Sequence, residues 1–414
     1  MAVKDLATAE ALPNEGAAEA VFPNRHVALV GTGLLTVGVA LAATNLRPAV
    51  TSLSSMLGDV RGSLGASSTW ASVITAVPTL CFGLAAFAAP WLGRRLGMAR
   101  AVALSLTVLT VGLLLRVIDG PAVLLGGTFI ACAGIAVCNV LIPVVVKDSF
   151  PKKLGLVTGI YTAALSAGGA FGAALTPPLE SWVGGWRPAL GAWALLSIGA
   201  LVVWLAGARH GAATRVAGGT PTRNARRSLA RSPLAWVITA FFGLQSLLAY
   251  AVMGWLPQVL QDAGVDKTTS GVLLAVTMVL GVPISLLVPP IAARWSSQTP
   301  MVLMLGTTAF AGVAGLAFAP AAAPGLWVVL VGIGMGMFPL ALTMISLRTK
   351  SSADTARLSA MAQSIGYLVS ASGPFLFGVL HGLTGGWTVS LVGLLVVVTL
   401  IIGLGSIAGR PRTI

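Results

Sequence analysis

Apolar runs of about 20 residues alternate with short polar segments along almost the whole chain. A helix needs about 20 apolar residues to cross the hydrocarbon layer of a membrane. The pattern therefore predicts twelve transmembrane helices and an all-α integral membrane protein. Their approximate bounds are 27–49, 69–92, 99–117, 121–146, 154–178, 188–206, 234–257, 269–292, 300–319, 324–345, 355–380 and 387–407.

The composition supports this class, because 56% of the residues are hydrophobic and only 9% are charged. Soluble domains carry roughly a quarter charged residues, so this chain has too little polar surface to cover a water-soluble globule. The net charge of +14 could suggest nucleic-acid binding. The basic residues lie in loops between the apolar runs, however, so we expect the lipid bilayer and not nucleic acid as the partner.

The distribution of Lys and Arg predicts an orientation. With the N-terminus in the cytoplasm, 20 basic residues fall on the cytoplasmic side and 4 on the outer side. Cytoplasmic loops of membrane proteins carry such an excess of Lys and Arg. We therefore predict a multi-pass protein of the cytoplasmic membrane with both termini inside the cell.

The chain divides into two similar halves. A segment with six arginines separates the first six spans from the last six, and Gly-Gly-Trp recurs at 184–186 and 385–387. Many secondary transporters contain such duplicated halves. We predict an N-terminal tail (1–26), a six-helix bundle (27–206), a basic cytoplasmic linker (207–233), a second six-helix bundle (234–407) and a C-terminal tail (408–414), acting as a monomer.

Arg47 is the only charged residue well within a predicted span, and no Asp or Glu lies inside one. A charge in that setting is expensive and usually functional. Because no acidic partner is available, a substrate anion is an attractive counter-ion. The alternative is that Arg47 extends to the outer interface or caps helix ends. The missing acids also argue against an Asp/Glu proton relay, while uniport, anion exchange and proton co-transport stay open.

Other polar residues lie in the middle of predicted spans, and all three tyrosines are among them. A tyrosine combines an apolar ring with a hydroxyl and therefore suits the lining of a mixed cavity. The alternative is hydrogen bonding between helices. The candidate substrate-binding residues, with Arg47, are Asn45, Asn139, Tyr161, Gln245, Tyr250, Trp255, Gln363 and Tyr367.

Enzyme and cofactor signatures are missing. The chain has no Walker loop, no His-Glu-x-x-His and no Cys-x-x-Cys, the motifs that would indicate nucleotide or metal chemistry. The three cysteines lie in apolar stretches and suit buried packing. We expect no cofactor, no metal and no catalytic residue.

Several segments resemble one transporter family. They are Asn45–Pro48, Ala89–Gly97, Asn139–Pro143 with Lys147, Thr158–Tyr161 and Met361–Tyr367. In them the chain resembles the major facilitator superfamily, in particular its cyanate permease and 2-nitroimidazole transporter branch. The resemblance extends from Val27 to about Gly405. It assigns conformational gating to Arg94, Arg95 and Gly97, although the wider superfamily motif favours Asp where this chain has Arg94.

The resemblance implies two pseudo-symmetric six-helix bundles, alternating access and a central site for small, often anionic or polar substrates. Our leading hypothesis is a secondary transporter of a cyanate-like or nitroimidazole-like solute. A second hypothesis is multidrug-type efflux of neutral heteroaromatic compounds, bound mainly by the tyrosines and Trp255. A membrane sensor or enzyme is the third, and the absence of catalytic clusters and of a sizeable soluble domain weighs against it.

Overall fold

A computed structural model describes residues 27–28, 33–150, 153–209, 214–215, 229–350 and 352–414. Within these residues, twelve helical segments are long and apolar enough to cross a membrane. The helices are α1 (Gly33–Thr44), α2 (Pro48–Ser55), α3 (Leu57–Ser63), α4 (Ser68–Leu96), α5 (Met98–Leu115), α6 (Pro121–Ser149), α7 (Leu154–Val183), α8 (Trp186–Arg209), α9 (Pro233–Asp262), α10 (Lys267–Arg294), α11 (Thr299–Phe318), α12 (Pro324–Gly334), α13 (Met337–Leu347), α14 (Ser352–Ser370), α15 (Ser372–Thr384) and α16 (Thr388–Ala408).

The prediction of an all-α membrane protein in two six-helix bundles is confirmed. The described residues add only a two-residue antiparallel pair, Val27–Ala28 (β1) with Thr214–Arg215 (β2), and a 3₁₀ turn at Leu229–Arg231. Of the predicted tail and linker, residues 1–26, 210–213 and 216–228 lie outside the described residues. The proposed domain limits therefore stay predictions.

Successive spans run in opposite directions, because short segments connect them. One end of the bundle, where α1 begins and α16 ends, is called the Ala408 end below. The other, where α9 ends and α10 begins, is called the Lys267 end. Large apolar side chains cover the outside of the helices: Leu195, Phe318 and Leu383 are 72%, 70% and 79% exposed. Lipid is the solvent that such a surface needs.

The first span extends past its predicted end and is interrupted. It runs from Gly33 to Ser55 rather than from 27 to 49, with a turn at residues 45–47 between α1 and α2. Pro48 begins α2; its ring fixes φ and removes an N–H, which suits the first position of a helix and not its interior. Arg47 therefore lies inside the span and not near its end.

Close packing holds the interrupted first span against α7. A Cβ atom at Gly168 would overlap the carbonyl of Thr44, and one at Gly172 would lie 2.8 Å from Pro48 Cα. Small residues four apart form such close helix contacts in membranes. These glycines let α7 pack directly against the turn that carries Arg47.

The two bundles are joined at the Lys267 end. Lys267 Nζ of the C-terminal bundle forms ion pairs with Asp59 Oδ2 at 2.6 Å and with Glu180, both in the N-terminal bundle. Ser54 Oγ of α2 donates a hydrogen bond to the carbonyl of Gly254 in α9 at 2.9 Å. We call Asp59, Glu180 and Lys267 the charge triad.

Candidate functional site

Arg47 lies at the boundary between the two bundles, half-buried in the turn before α2. Its Nη1 is 3.4 Å from the Sδ of Met278, which belongs to α10 in the opposite bundle. A thioether is only a weak acceptor. None of the ion pairs found among the described residues includes Arg47. Its charge is therefore available to a stronger acceptor.

The three tyrosines lie within electrostatic range of this guanidinium. Tyr161 on α7, Tyr250 on α9 and Tyr367 on α14 are close enough for the charge of Arg47 to act on each hydroxyl. The Tyr161 hydroxyl donates to Asn139 Oδ1 on α6 at 3.4 Å. The structure thus brings together five of the predicted residues, which we call the Arg47–tyrosine cluster.

Aromatic rings form one wall of this cluster. The Tyr367 ring lies 5.3 Å from Phe242, 5.7 Å from Phe82 and 6.2 Å from Tyr250, measured between ring centroids. Phe82 belongs to α4 of the N-terminal bundle, so it packs across the boundary between the halves. Aromatic pairs at such distances attract each other in edge-on and tilted arrangements. The sequence analysis missed Phe82, because a Phe in an apolar span carries no signal of its own.

The two predicted glutamines bond to neighbours on their own helices. Gln245 is buried and donates from Nε2 to the carbonyl of Phe242 and to Ser246 Oγ. Gln363 donates from Nε2 to Ser359 Oγ at 2.7 Å. Each keeps its side-chain oxygen as an acceptor, so the pair supplies polarity beside the rings.

Asn45 and Trp255 lie apart from the cluster. Asn45 is buried and donates from Nδ2 to the carbonyls of Leu41 and Leu196, which satisfies backbone groups beside the helix break. Trp255 donates from Nε1 to the carbonyl of Pro374 at 2.9 Å, and its ring lies 5.4 Å from that of Trp387. Both side chains serve packing in this structure.

The predicted gating segment forms the turn between α4 and α5 at the Ala408 end. Gly97 has φ +77°, a conformation that favours glycine. The Arg95 guanidinium lies 4.9 Å from the centre of the exposed Trp91 ring, a cation–π contact. The Arg94 side chain lies outside the described part of the structure, so its gating role stays a prediction.

Arg116 is a second arginine with functional character that the sequence analysis missed. It lies at the outer end of the third predicted span, 99–117, and is one of the four basic residues counted on the outer side, yet it is 0% exposed. Its Nη1 donates to the carbonyl of Ala49 at 2.7 Å. The only signal was its position directly at the end of an apolar run, which does not distinguish a buried arginine from a solvated one.

The arrangement can bind but offers no obvious chemistry. Among the described residues, no group of three or more His, Cys, Asp or Glu could hold a metal ion. The three cysteines, Cys81, Cys132 and Cys138, are free and buried. Secondary transporters typically bind their substrates at such a boundary between two repeated bundles.

Comparison with known proteins agrees with this class. The model of the major facilitator superfamily matches residues 32–374, and the chain belongs to this family. The chain is 34% identical over 382 residues to the 2-nitroimidazole transporter of Escherichia coli (strain K12), covering 92% of this chain and 96% of that protein. It is 32% identical over 350 residues to the cyanate transport protein CynX of the same organism, covering 84% and 90%.

Solved structures share the fold. The nucleoside transporter NupG aligns with a TM-score of 0.72 over 91% of this chain and 100% of that one, at 12% sequence identity. At that identity the likeness supports the fold alone. The resemblance stated from the sequence is confirmed, and the protein is a multi-pass membrane transporter and not an enzyme.

Proposed function

We propose that this protein is a secondary transporter that moves a small anionic or polar solute across the cytoplasmic membrane by alternating access. The solute is cyanate-like or nitroimidazole-like, and the protein acts as a monomer with both termini in the cytoplasm. The printed functions of the two relatives support this range of substrates, and the Lys and Arg distribution supports the orientation.

One observation carries the proposal: a guanidinium that has no ion-pair partner among the described residues lies within electrostatic range of three phenol hydroxyls at the boundary between the bundles. All of these groups can donate hydrogen bonds. Hydrogen bonds between charged partners are short and about twice as strong as neutral ones. An anion at Arg47 would replace the thioether of Met278 and pair the buried charge.

The same geometry supports recognition of a flat solute. The rings of Phe82, Tyr250 and Tyr367 lie beside the hydroxyls, so an anionic or nitro group could face Arg47 while a planar body contacts the rings. Pockets that combine an apolar lining with a few placed polar groups are typical of small-molecule sites. A very small anion would use Arg47 and the hydroxyls alone.

Alternating access needs the bundles to part at one end and close at the other. The charge triad and the Ser54–Gly254 hydrogen bond join the bundles at the Lys267 end. With the proposed orientation this end faces the outside of the cell. We therefore propose that the structure represents a state closed toward the outside.

Reconstituted transport is the direct test. Proteoliposomes are loaded with buffer and given labelled cyanate, benzoate or 2-nitroimidazole in parallel, with empty liposomes as the blank. We expect saturable uptake of at least one probe by the wild type and a much lower uptake efficiency in Arg47→Gln. The matched control is Arg187→Gln, which removes an arginine at the Lys267 end, away from the cluster. Uptake that is unchanged in Arg47→Gln would contradict the proposal.

Efflux of neutral heteroaromatic compounds is a second candidate, favoured by the ring wall of Phe82, Phe242, Tyr250 and Tyr367. In that case the rings contribute most of the binding and Arg47 contributes little. Susceptibility of deletion and overexpression strains to a panel of nitroazoles and other aromatic toxins separates the two. Resistance that follows expression and survives Arg47→Gln would favour efflux.

A further inference from the structure

Arg116 makes an unusual set of contacts for a buried charge. From the end of α5 its Nη1 donates to the Ala49 carbonyl at 2.7 Å, and its Nη2 donates to Ser52 Oγ at 3.3 Å and to the Leu190 carbonyl at 3.4 Å. All these partners are neutral, and Nε has no partner among the described residues. Burying a guanidinium among neutral partners costs free energy. Packing alone therefore does not explain these contacts.

Two of its three partners belong to the short helix that follows Arg47. Ala49 and Ser52 lie in α2, whereas Leu190 lies in α8. Arg116 therefore ties α2 to both α5 and α8. On another side α2 meets α7, where Gly172 faces Pro48 and Thr51. The helix is held between a glycine face and an arginine.

The backbone connection to α1 does little to fix the position of α2. Residues 45–47 form a turn, and Pro48 has no N–H to bond back to α1. The Arg47 carbonyl instead accepts the N–H groups of Val50 at 3.0 Å and Thr51 at 3.1 Å. Arg47 is thus bonded into α2, and any movement of α2 moves its guanidinium.

We infer that Arg116 is a positioning residue, which fixes α2 and so places the Arg47 guanidinium at the boundary between the bundles. The inference rests on the proposed function in one respect, namely that Arg47 binds the substrate. Arg116 does not itself touch the Arg47–tyrosine cluster in the contacts described. It acts through Ala49 and Ser52.

The choice of arginine fits this role. A guanidinium presents several donors in a rigid planar fork, whereas a lysine ammonium is a compact point charge on a flexible stem. Only the fork reaches acceptors on two helices at once. Arg116→Lys should therefore keep the positive charge but hold α2 less firmly. Arg116→Gln should lose both the charge and the contacts that hold α2.

Arg348 provides a matched control. It is 4% exposed and donates from Nε to the Ala408 carbonyl and from Nη2 to the Gly409 carbonyl, both at 2.9 Å, and also to Gln298. Like Arg116, it is a buried arginine bonded to neutral groups at the end of a span. It holds the Ala408 end of the C-terminal bundle and does not contact α2.

The experiment measures backbone mobility and substrate affinity in parallel. Hydrogen–deuterium exchange of the purified protein in nanodiscs is followed for the peptide covering residues 44–55. Uptake of cyanate, benzoate and 2-nitroimidazole is measured in proteoliposomes of the wild type, Arg116→Gln, Arg116→Lys, Arg348→Gln, Arg47→Gln and the double variant Arg47→Gln/Arg116→Gln.

We expect Arg116→Gln to speed exchange in residues 44–55 and to raise KM roughly tenfold, since hydrogen bonds to charged groups have effects of about this size. For Arg116→Lys, both the exchange rate and KM should lie between the values of Arg116→Gln and those of the wild type. In the Arg47→Gln background the further change in KM should vanish, which a general loss of stability would not produce. Arg348→Gln should lower thermal stability without changing KM or exchange in 44–55.

Unchanged exchange in residues 44–55 in both Arg116 variants would overturn the inference, whatever happens to transport. Equal effects of Arg116→Gln and Arg348→Gln on KM would also overturn it. If Arg47→Gln leaves uptake of every probe unchanged, the proposed function fails, and the exchange result still decides whether Arg116 fixes α2. If Arg116→Gln does not fold, Arg116→Lys supplies both measurements.

Discussion

The two halves of the transporter bring different chemistry to their common boundary. The N-terminal bundle supplies the guanidinium of Arg47, the amide of Asn139 and the rings of Phe82 and Tyr161, whereas the C-terminal bundle supplies the rings of Phe242, Tyr250 and Tyr367. Both halves therefore supply aromatic rings, and the N-terminal half adds the positive charge of Arg47. A solute bound between them contacts both, so neither half alone defines the specificity.

The halves also differ in how their parts are held. In the N-terminal bundle, the helix that carries Arg47 is interrupted and is fixed by glycines of α7 and by Arg116. In the C-terminal bundle, α9 runs unbroken past Tyr250, whereas Tyr367 lies near the end of α14, just before the turn at Ala371. The Arg47 charge therefore sits beside a helix break, whereas the Tyr250 ring sits within a continuous helix.

Removing the charge should have the largest effect. Arg47→Gln should reduce the uptake efficiency for an anionic probe roughly 10- to 150-fold, since hydrogen bonds to a charged group contribute about 1.5–3 kcal/mol. Arg47→Lys should retain part of the wild-type uptake efficiency. Initial rates in proteoliposomes provide the measurement, and an equal loss for a neutral azole would show that Arg47 does not act through charge.

Changing the glycine face of α7 should have the next largest effect. Gly168→Ala places a Cβ atom against the Thr44 carbonyl, and we expect a loss of about 1–3 kcal/mol from overpacking. Gly159→Ala on the same helix meets no atom within 4 Å and should be neutral or slightly stabilising. Thermal unfolding of the two purified variants compares them, and equal stability would contradict the close packing.

Breaking the charge triad should shift the balance between closed and open states. Lys267→Met removes two ion pairs between the bundles, each contributing about 0.2–1 kcal/mol when partly exposed. We expect the population open at the Lys267 end to rise roughly two- to thirtyfold. Distances between spin labels at Trp182 and Leu383 measure it. Arg187→Met is the control, because its ion pair with Asp119 lies within the N-terminal bundle.

Removing one hydroxyl should have the smallest effect. It should also separate the contribution of the Tyr367 hydroxyl from that of the Tyr367 ring. Tyr367→Phe keeps the ring and should raise KM for an anion roughly fivefold, the effect of about 1 kcal/mol. Uptake of 2-nitroimidazole should change less if its ring contacts dominate. Tyr367→Ala should impair both probes, and a variant that impairs only the anion would show that the ring is dispensable.

Much of the fold could be predicted from the sequence because membrane thickness imposes a fixed helix length. Eleven predicted spans agree with the structure to within several residues at each end. The predicted first span ends at residue 49, because the segment beyond it contains Thr51, Ser52, Ser54 and Ser55 and no longer reads as an apolar run. In the structure Pro48 starts a second helix, and tertiary contacts from α7 carry the chain on to Ser55.

The site could be predicted only where a residue is unusual for its surroundings. Arg47 and the tyrosines are polar groups in apolar runs, so they are visible in the sequence. Phe82 and Met278 are ordinary membrane residues, and their contacts with Tyr367 and Arg47, respectively, depend on how the two bundles meet. Asn45 looks equally polar, yet the helix break uses its amide locally. Sequence pattern shows which residues are polar, and only packing decides which way they face.

The solitary charge of Arg47 has an electrical consequence for the transport cycle. On the proposed mechanism the unloaded site carries one positive charge, and a monovalent anion neutralises it. Moving one elementary charge through a membrane potential of 100 mV changes the free energy by about 2.3 kcal/mol. The return of the empty carrier should therefore respond to voltage, whereas the loaded step should not. An inside-negative cell would hold the unloaded site toward the cytoplasm, and exchange of one anion for another would proceed without net current.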